Sequence, residues 1–145
     1  MQYTPMKDVE KFHKTFAPDQ VNDDLLDKTD RRLSLIYEEY EEVVEALLEY
    51  ERIMISDIPI GSSYTAKEEL AKELADLLYV VYGTAEELGI PLEQVFDAVH
   101  ESNMSKAWPD GTVKRNDFGK ILKPNTYVKP DLSFIHDNQF LSQSS

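Results

Sequence analysis

The sequence predicts an all-α fold, a bundle of four helices followed by an irregular C-terminal arm. Three observations lead to this prediction. Apolar residues recur at helical spacing in four segments before residue 105, and no pair of β-strands is recognisable. After residue 106 the chain instead carries turn-forming pairs such as Asp110-Gly111 and Lys129-Pro130. At 145 residues the chain has the length of one domain, which we expect to span residues 1–145.

The first two predicted helices are separated by a polar loop. The first is expected over residues 5–16, where apolar side chains recur at helical spacing. Residues 18–27 are mostly polar and predict a loop. The side chain of Thr29 or Asp30 can accept the free backbone amides at a helix start, so we expect one of them to cap a second helix that runs to about Ser56.

Proline and glycine mark the boundaries of the next two predicted helices. Residues 57–63 contain both and predict a break. Residues 65–68 read Thr-Ala-Lys-Glu, a capping box that predicts the start of the third helix. Gly89 is expected to end that helix. Pro91 is expected to occupy the first helical position of a fourth helix, which runs to about Met104.

The residues after the fourth helix predict an extended arm over 107–138 and a disordered tail over 139–145. This part of the chain is locally basic, although the whole protein is acidic. Its cations are Lys106, Lys114, Arg115, Lys120, Lys123 and Lys129. A basic arm on an acidic protein is a suitable place to receive an anionic substrate.

The overall charge excludes several classes of function. The formal net charge is −13, from 28 acidic and 15 basic residues, so the surface should repel nucleic-acid polymers and anionic membranes. There are no cysteines, which excludes disulfides, zinc–thiolate sites and iron–sulfur clusters. The sequence shows neither a leader-like pattern at its start nor an apolar run of membrane-spanning length, and we expect a cytoplasmic protein.

Two groups of acids on successive helices indicate a metal site. Glu39 and Glu42 lie three residues apart on the second predicted helix, and Glu73 and Asp76 repeat this spacing on the third. Asp76 is the only charge in the apolar run 74–85, where a carboxylate is costly to bury unless something neutralises it. Four carboxylates brought close together repel one another unless they are protonated or bind a cation. Oxygen ligands suit Mg²⁺, with Mn²⁺ as a possible substitute.

Helical wheels assign these acids to the flanks of apolar stripes, which we expect to form the core. The stripe of the second helix consists of Leu33, Ile36, Tyr40, Val43 and Leu47, and that of the third consists of Leu70, Leu74, Leu77, Leu78, Val81 and Leu88. A single bundle with so much apolar surface should need a second copy to cover it. We therefore expect a homo-oligomer, either a dimer or a tetramer.

The order Glu38-Glu39-x-x-Glu42 and then Glu73-x-x-Asp76 resembles the signature of the MazG-like, all-α nucleoside triphosphate pyrophosphohydrolases. The resemblance covers roughly residues 5 to 135. It implies hydrolysis of a ribo- or deoxyribonucleoside triphosphate to the monophosphate and diphosphate, in nucleotide housecleaning or pool control. It also implies an oligomer in which a neighbouring subunit completes the site.

The resemblance extends to residues outside the acid motifs. Arg31 or Arg32 precedes the first motif as in the family, and the segment 103–106, Asn-Met-Ser-Lys, closes the fourth helix. The arm segment 117–123 is similar to that of small single-domain members.

The resemblance implies a role for each acid. Glu39, Glu42, Glu73 and Asp76 correspond to the family's metal ligands. Glu38 corresponds to its additional leading glutamate, which is either a second-metal ligand or the catalytic base that activates water.

Three further residues are expected to bind substrate. Lys106 follows a helix C-terminus and could reach phosphate oxygens, and Lys120 lies in a glycine turn. Asn103 could ligate the metal or orient the nucleotide through its amide. Surface lysines and, for Asn103, a helix C-cap are the alternatives.

Two other functions remain possible from the sequence alone. A non-catalytic acidic helical protein could oligomerise through its apolar stripes and bind a basic partner. A di-iron carboxylate bundle would use Glu-x-x-His motifs, of which the chain offers Glu10-x-x-His13 and the variant Asp97-x-x-His100.

Overall fold

The computed structural model of the chain describes residues 4–56 and 59–137, without the side chains of residues 60 and 62. It is all-α, as predicted. Its helices are α1 (Pro5–Phe16), a short 3₁₀ helix (Gln20–Asn22), α2 (Leu25–Ile55), α3 (Ile60–Glu87), α4 (Leu92–Met104) and the short α5 (Phe134–Asp137). Within the described residues the β-pairing is limited to one isolated bridge, Arg115 to Ile121. None of the helices described is long and apolar enough to cross a membrane.

The chain divides into two compact units, Met1–Leu88 and Gly89–Ser145. The first contains α1 to α3 and the second contains α4, α5 and the arm. The single domain over 1–145, with an arm over 107–138, stays a prediction. Residues 138–145, which include the predicted tail 139–145, lie outside the described residues.

The start of α2 differs from the prediction, whereas α1 has the expected bounds. The side chain of Asp24, rather than that of Thr29 or Asp30, caps α2, and its Oδ1 accepts a hydrogen bond from the Asp27 amide at 2.9 Å. Thr29 lies inside the helix and donates to the carbonyl of Leu25 at 3.0 Å. An acidic residue five positions before Thr29 therefore replaces the predicted cap.

The predicted start of α3 is also too late, because Ile60 already begins the helix after Pro59. The Thr65 hydroxyl donates to the Gly61 carbonyl at 3.3 Å, a contact typical of a helix interior, so the capping box over 65–68 is wrong. At the other end Gly89 has a φ of +67° just after the helix, as expected.

In the first unit, α2 and α3 run antiparallel along a shared seam. Arg32 binds Glu87 near one end of this seam, and Glu42 lies beside Glu73 nearer the other, so residue numbers rise on one helix as they fall on the other. The α2 residues nearest the seam recur at alternating spacings of three and four. They are Arg32, Leu35, Glu39, Glu42 and Ala46.

The apolar stripe predicted to be the core of α2 largely faces outward. Leu33, Tyr40 and Leu47 are 70%, 55% and 52% exposed, and only Ile36 and Val43 are half-buried. On α3, Leu74 and Leu78 of the predicted stripe are also exposed. The prediction that this stripe is buried as the core is wrong, because the flank of α2 that carries Glu39 and Glu42 packs against α3 and leaves the stripe exposed.

A network of ion pairs stabilises the end of the seam where Arg32 meets Glu87. Arg32 is buried and donates through Nε to Glu87, whose side chain is also buried. Arg31 donates to the same carboxylate at 2.5 Å and to Asp23 at 2.7 Å. Burial acts to raise the pKa of Glu87, but hydrogen bonds from Arg32 and Arg31 outweigh it, so the pKa of this carboxyl lies below its usual range.

α1 joins this network through His13. The Nδ1 atom of His13 lies 2.5 Å from Glu86, and Nε2 lies 3.2 Å from the Arg32 guanidinium. Because a guanidinium can only donate, Nε2 must be the acceptor and Nδ1 must carry the proton. Gly83 leaves room for both side chains, since a Cβ there would lie 2.8 Å from Arg32 Nη1 and 3.3 Å from the His13 ring.

The C-terminal unit ties the arm to the end of α4. Ser102 is buried and its hydroxyl donates to the Val128 carbonyl at 2.8 Å, while the Val128 amide donates to Ser105 at 2.9 Å. Between these points the chain makes two turns, with glycines at φ of +81° (Gly111) and +78° (Gly119), which side-chain-bearing residues rarely adopt. The arm is thus irregular, as predicted, but extensively hydrogen-bonded.

The Arg32–Glu87 pair gives a testable stability prediction. We expect Glu87→Gln to lower the free energy of unfolding at pH 7 by about 3 kcal/mol, because a buried guanidinium then lacks its counter-charge. The folded pKa is depressed, so the stabilisation is present above the unfolded pKa of about 4.3 and is lost as the pH falls through the folded value. Urea unfolding at several pH values should show the two proteins converging in acid.

The matched control is Glu49→Gln, at an exposed residue that pairs with Arg52 at 2.6 Å on the surface of α2. Solvent screens this pair, and its loss should change stability little at any pH. Equal effects of the two substitutions would contradict the assignment of Glu87 as a stabilising buried charge.

Candidate metal centre

Three of the four predicted metal ligands come together on the α2–α3 seam. Glu39, Glu42 and Glu73 each offer a carboxylate oxygen, and these atoms all lie within 4.8 Å of one another. Helical spacing places Glu39 and Glu42 on the same face of α2, and antiparallel packing brings Glu73 opposite them. The sequence motif therefore becomes a spatial cluster.

Two oxygens of this cluster are buried without a hydrogen-bond donor. Glu73 is 6% exposed, and its Oε2 has no hydrogen-bond partner. The Oε2 of Glu39 is also buried without a partner. A buried carboxylate oxygen without a donor costs free energy, so such atoms usually serve a cation or a catalytic role. The cluster contains only oxygen ligands, which fit a hard divalent ion.

The pKa shifts reflect the crowding of like charges. Burial raises the pKa of Glu39, and the charges of Asp76, Glu38 and Glu73 raise it further. The pKa of Glu42 is also raised, first because its carboxyl can share a proton with Glu73 and then because of partial burial. Both shifts mean that the ionised cluster is destabilised until a cation neutralises it.

Lys72 is the one cation that the described residues bring into this cluster. Its ammonium donates to Glu73 Oε1 at 2.9 Å and to Asp76 Oδ2 at 3.0 Å. The hydrogen bond from Lys72 is the main reason that the pKa of Glu73 is lowered, and the same contacts raise the pKa of Lys72. The sequence analysis missed Lys72. Its position four residues before Asp76 on the same helix was a usable signal, because residues at this spacing are neighbours on a helix surface.

Asp76 is placed differently from its three partners. It is not among the acids whose oxygens lie within 4.8 Å of one another, and its side chain is 44% exposed. Asp76 is therefore not a buried charge without a partner, because its side chain is half-open to solvent and paired with Lys72. It still lies close enough to raise the pKa of Glu39.

Glu38, the predicted catalytic residue, is exposed beside the cluster. Its charge contributes to the raised pKa of Glu39. A cavity of about 450 Å³ opens on the other side, between α2 and α3. It is lined by Glu42, Glu45, Ala46, Glu49, Ala66, Glu69, Lys72 and Glu73. The acid cluster thus borders a water-accessible cavity in which a ligand could be held.

The three predicted substrate-binding residues belong to the C-terminal unit. Asn103 and Lys106 are brought together, with the Lys106 ammonium donating to Asn103 Oδ1 at 2.7 Å. Lys120 is exposed, and its backbone amide donates to Asn116 Oδ1 at 2.9 Å within the glycine turn. Their roles in binding stay predictions.

The di-iron interpretation finds no support in the described residues. The two nitrogens of His13 are already engaged by Glu86 and Arg32, and Glu10 binds Lys14. In the described part of the chain, the cluster that could hold a metal consists of three glutamates and contains no histidine. His13 instead lines a separate cavity of about 300 Å³, beside Arg32 and Glu87.

The family comparison agrees with this geometry. The sequence profile of the phosphoribosyl-ATP pyrophosphohydrolase family matches residues 9–103, which is more than half of the chain and includes both acid motifs. The chain belongs to this family. The family has the all-α, MazG-like fold, so the resemblance noted in the sequence is confirmed.

Family membership makes the chain a pyrophosphohydrolase that acts on a nucleotide. Enzymes of this family typically use a divalent metal, and the glutamate cluster is the place in the described residues that could hold one. A comparison with curated proteins gave no significant match.

The crowding of carboxylates predicts an unusual effect of Glu39→Gln. The raised pKa of Glu39 means that its ionised form costs stability at neutral pH, and the substitution removes that cost. In a chelator we expect the variant to melt a few degrees above the wild type. Millimolar Mg²⁺ should raise the melting temperature of the wild type, because it binds the folded state only, and should leave the variant unchanged.

Glu51→Gln, at an exposed position of the same helix, is the control and should keep the wild-type response to Mg²⁺. Thermal unfolding monitored by circular dichroism, with and without the ion, measures all three proteins. A lower melting temperature for Glu39→Gln in chelator would show that the cluster is a stabilising network rather than a strained ligand site.

Proposed function

We propose that this protein is a Mg²⁺-dependent enzyme that hydrolyses ribo- or deoxyribonucleoside triphosphates to the monophosphate and diphosphate. The observation that carries this proposal is the cluster of Glu39, Glu42 and Glu73, with its two buried carboxylate oxygens that lack donors. Family membership supplies the reaction class, and the all-oxygen ligand set supports Mg²⁺, with Mn²⁺ as a substitute.

In the proposed mechanism the seam residues hold the metal and the flanking residues handle the proton. Glu39, Glu42 and Glu73 would hold the ion, and Asp76 would complete the set from the exposed side. A bound Mg²⁺ would supply charge neutralisation at the phosphate oxygens and a more acidic attacking water. Glu38 is exposed beside the cluster and accepts the proton of that water, or it binds a second ion. The water attacks the α-phosphorus, the bond to the bridging oxygen breaks, and diphosphate leaves.

The substrate-binding groups are proposed on chemical grounds. Asn103 and Lys106 form a hydrogen-bonded pair that presents an amide and an ammonium, and Lys120 adds a second ammonium in the arm. Between positions 106 and 129 the sequence has six basic residues against two acidic ones, in a chain of net charge −13. This local excess of positive charge suits a triphosphate. The proposed location is the cytoplasm.

A second substrate candidate follows from the family's name. Phosphoribosyl-ATP carries the same triphosphate, with an additional phosphoribosyl group on its base, and the family is described by its hydrolysis. The acid cluster would treat both substrates alike, because the scissile bond and the metal-binding phosphates are the same.

The central experiment measures diphosphate release from a panel of ribo- and deoxyribonucleoside triphosphates and from phosphoribosyl-ATP, all with Mg²⁺. We expect monophosphate and diphosphate as products, and a loss of about 100-fold or more in Glu39→Gln and Asp76→Asn. Glu51→Gln should keep the wild-type rate. ³¹P NMR separates this outcome from simple phosphatase activity, which would give the nucleoside diphosphate and phosphate.

The ranking of the panel selects between the two substrate candidates. Release confined to phosphoribosyl-ATP would replace the proposed substrate class but keep the chemistry. No release from any of them by folded, Mg²⁺-binding protein would favour the non-catalytic alternative, an acidic helical protein that binds a basic partner.

We also propose that the chain forms a homo-oligomer, a dimer or a tetramer, through α2. The outward stripe of this helix contains large apolar side chains at helical spacing, namely Leu33, Tyr37, Tyr40, Leu47 and Leu48, all more than half exposed. A contiguous apolar stripe of this kind is typical of an interface. A second copy with the same stripe is the occupant expected for a two-fold contact.

Light scattering after size exclusion should give a mass of twice or four times the 16.7 kDa of one chain. Leu47→Glu should reduce that mass, because it buries a charge in the proposed interface. Lys11→Gln, an equal change in charge at an exposed position of α1, should not. A monomer in the wild type would overturn the proposal.

A further inference from the structure

The ammonium of Lys72 binds two carboxylates that are also proposed metal ligands. It lies 2.9 Å from Glu73 Oε1 and 3.0 Å from Asp76 Oδ2, which are oxygens of two proposed metal ligands. Lys72 also lines the same cavity as Glu42 and Glu73. Its contacts therefore link the acid cluster to the half-exposed Asp76, which otherwise stands apart from the cluster.

The burial of the partners is strongly unequal. The side chain of Glu73 is 7% exposed, whereas that of Lys72 is 59% exposed. A flexible lysine at this exposure can return to water at little cost, but the buried carboxylate cannot leave the seam. An exchange of cations at this site would therefore move Lys72 and leave the carboxylates in place.

The metal and the ammonium cannot both hold these oxygens. A Mg²⁺ ion approaches its oxygen ligands to about 2.1 Å, which would place it within a few ångströms of an ammonium bound to the same carboxylates. The two cations would repel each other at this distance, even with the metal on the free Oε2 of Glu73 and the ammonium on Oε1. Only one of them can be the counter-ion of Glu73 and Asp76 at a time.

We propose that Lys72 is the resident counter-ion of Glu73 and Asp76, that a divalent metal binds by displacing it, and that the released ammonium then contacts the phosphates of the substrate. This inference rests on the proposed metal site. It assigns to Lys72 two successive partners, first the carboxylates and then an anionic ligand at the rim of the cavity. Asp76, once released from Lys72, is free to complete the ligand set.

The test is calorimetric titration of Mn²⁺ alone into the wild type and three variants. Lys72→Gln removes the competitor, and we expect it to bind Mn²⁺ about threefold to tenfold more tightly. Lys72→Arg keeps a cation with several donors and should bind no more tightly than the wild type. Lys67→Gln removes an exposed charge from the same helix and controls for long-range electrostatics.

A second measurement follows the ammonium itself. In protein with ¹⁵N-labelled lysine side chains, the Lys72 ammonium signal is assigned by its absence in Lys72→Gln. We expect this signal to be protected from exchange in chelator and to lose that protection when Mg²⁺ is added. Adding diphosphate to the Mg²⁺-loaded protein should then shift it again.

The outcomes separate this inference from the metal site on which it rests. Wild-type protein that binds no Mn²⁺ would overturn both. Wild-type binding with Lys72→Gln within about twofold of Lys67→Gln would overturn the displacement of Lys72 and leave the metal site intact. A Lys72 ammonium signal that does not respond to Mg²⁺ would have the same meaning.

Discussion

The seam between α2 and α3 is built around charge, and the rest of the first unit depends on how that charge is neutralised. At one end Arg32 and Glu87 are both buried and satisfy each other, with Arg31 as a second donor. At the other end Glu39, Glu42 and Glu73 have no such internal balance, apart from the exposed Lys72. A closed ion pair fixes the packing of the helices, and an unbalanced cluster beside it is left to bind a cation.

This division explains why the buried core is small and partly polar. The buried apolar residues described are Val9, Ala66 and Ala85, none of them large enough to dominate a core. The larger apolar residues of α2 lie on its exposed face, which the proposed oligomer would cover.

The fold class and the acid cluster could be predicted from the sequence, because helical periodicity and Glu-x-x-Glu spacing are local properties. The pairing of Glu39 and Glu42 with Glu73 followed from antiparallel neighbours in sequence. The direction that α2 faces could not be predicted in the same way. A wheel ranks faces by hydrophobicity, and it assigned Leu33 and Leu47 to the core, whereas long-range ion pairs such as Arg32–Glu87 decided the rotation.

Helix starts were missed for a related reason. Asp24 caps α2 with a side chain that looked equivalent to those of Thr29 and Asp30 in the sequence, and nothing local distinguished them. The half-exposed position of Asp76 could not be predicted either, since it depends on how α3 is rotated against α2. Lys72 was visible in the sequence, but its importance emerged only from its distances to Glu73 and Asp76.

The unbroken helix between Arg32 and Glu39 fixes the distance and the angle between these two side chains. Seven residues make nearly two full turns, so the ion pair and Glu39, the first proposed metal ligand, point to the same side, about 10 Å apart along the axis. Inserting or deleting a single residue in this stretch would rotate one relative to the other by about 100°. Either Arg32 would leave Glu87 or Glu39 would leave the cluster. The length of this segment is therefore as constrained as the identity of its charged residues, even where the side chains between them face solvent.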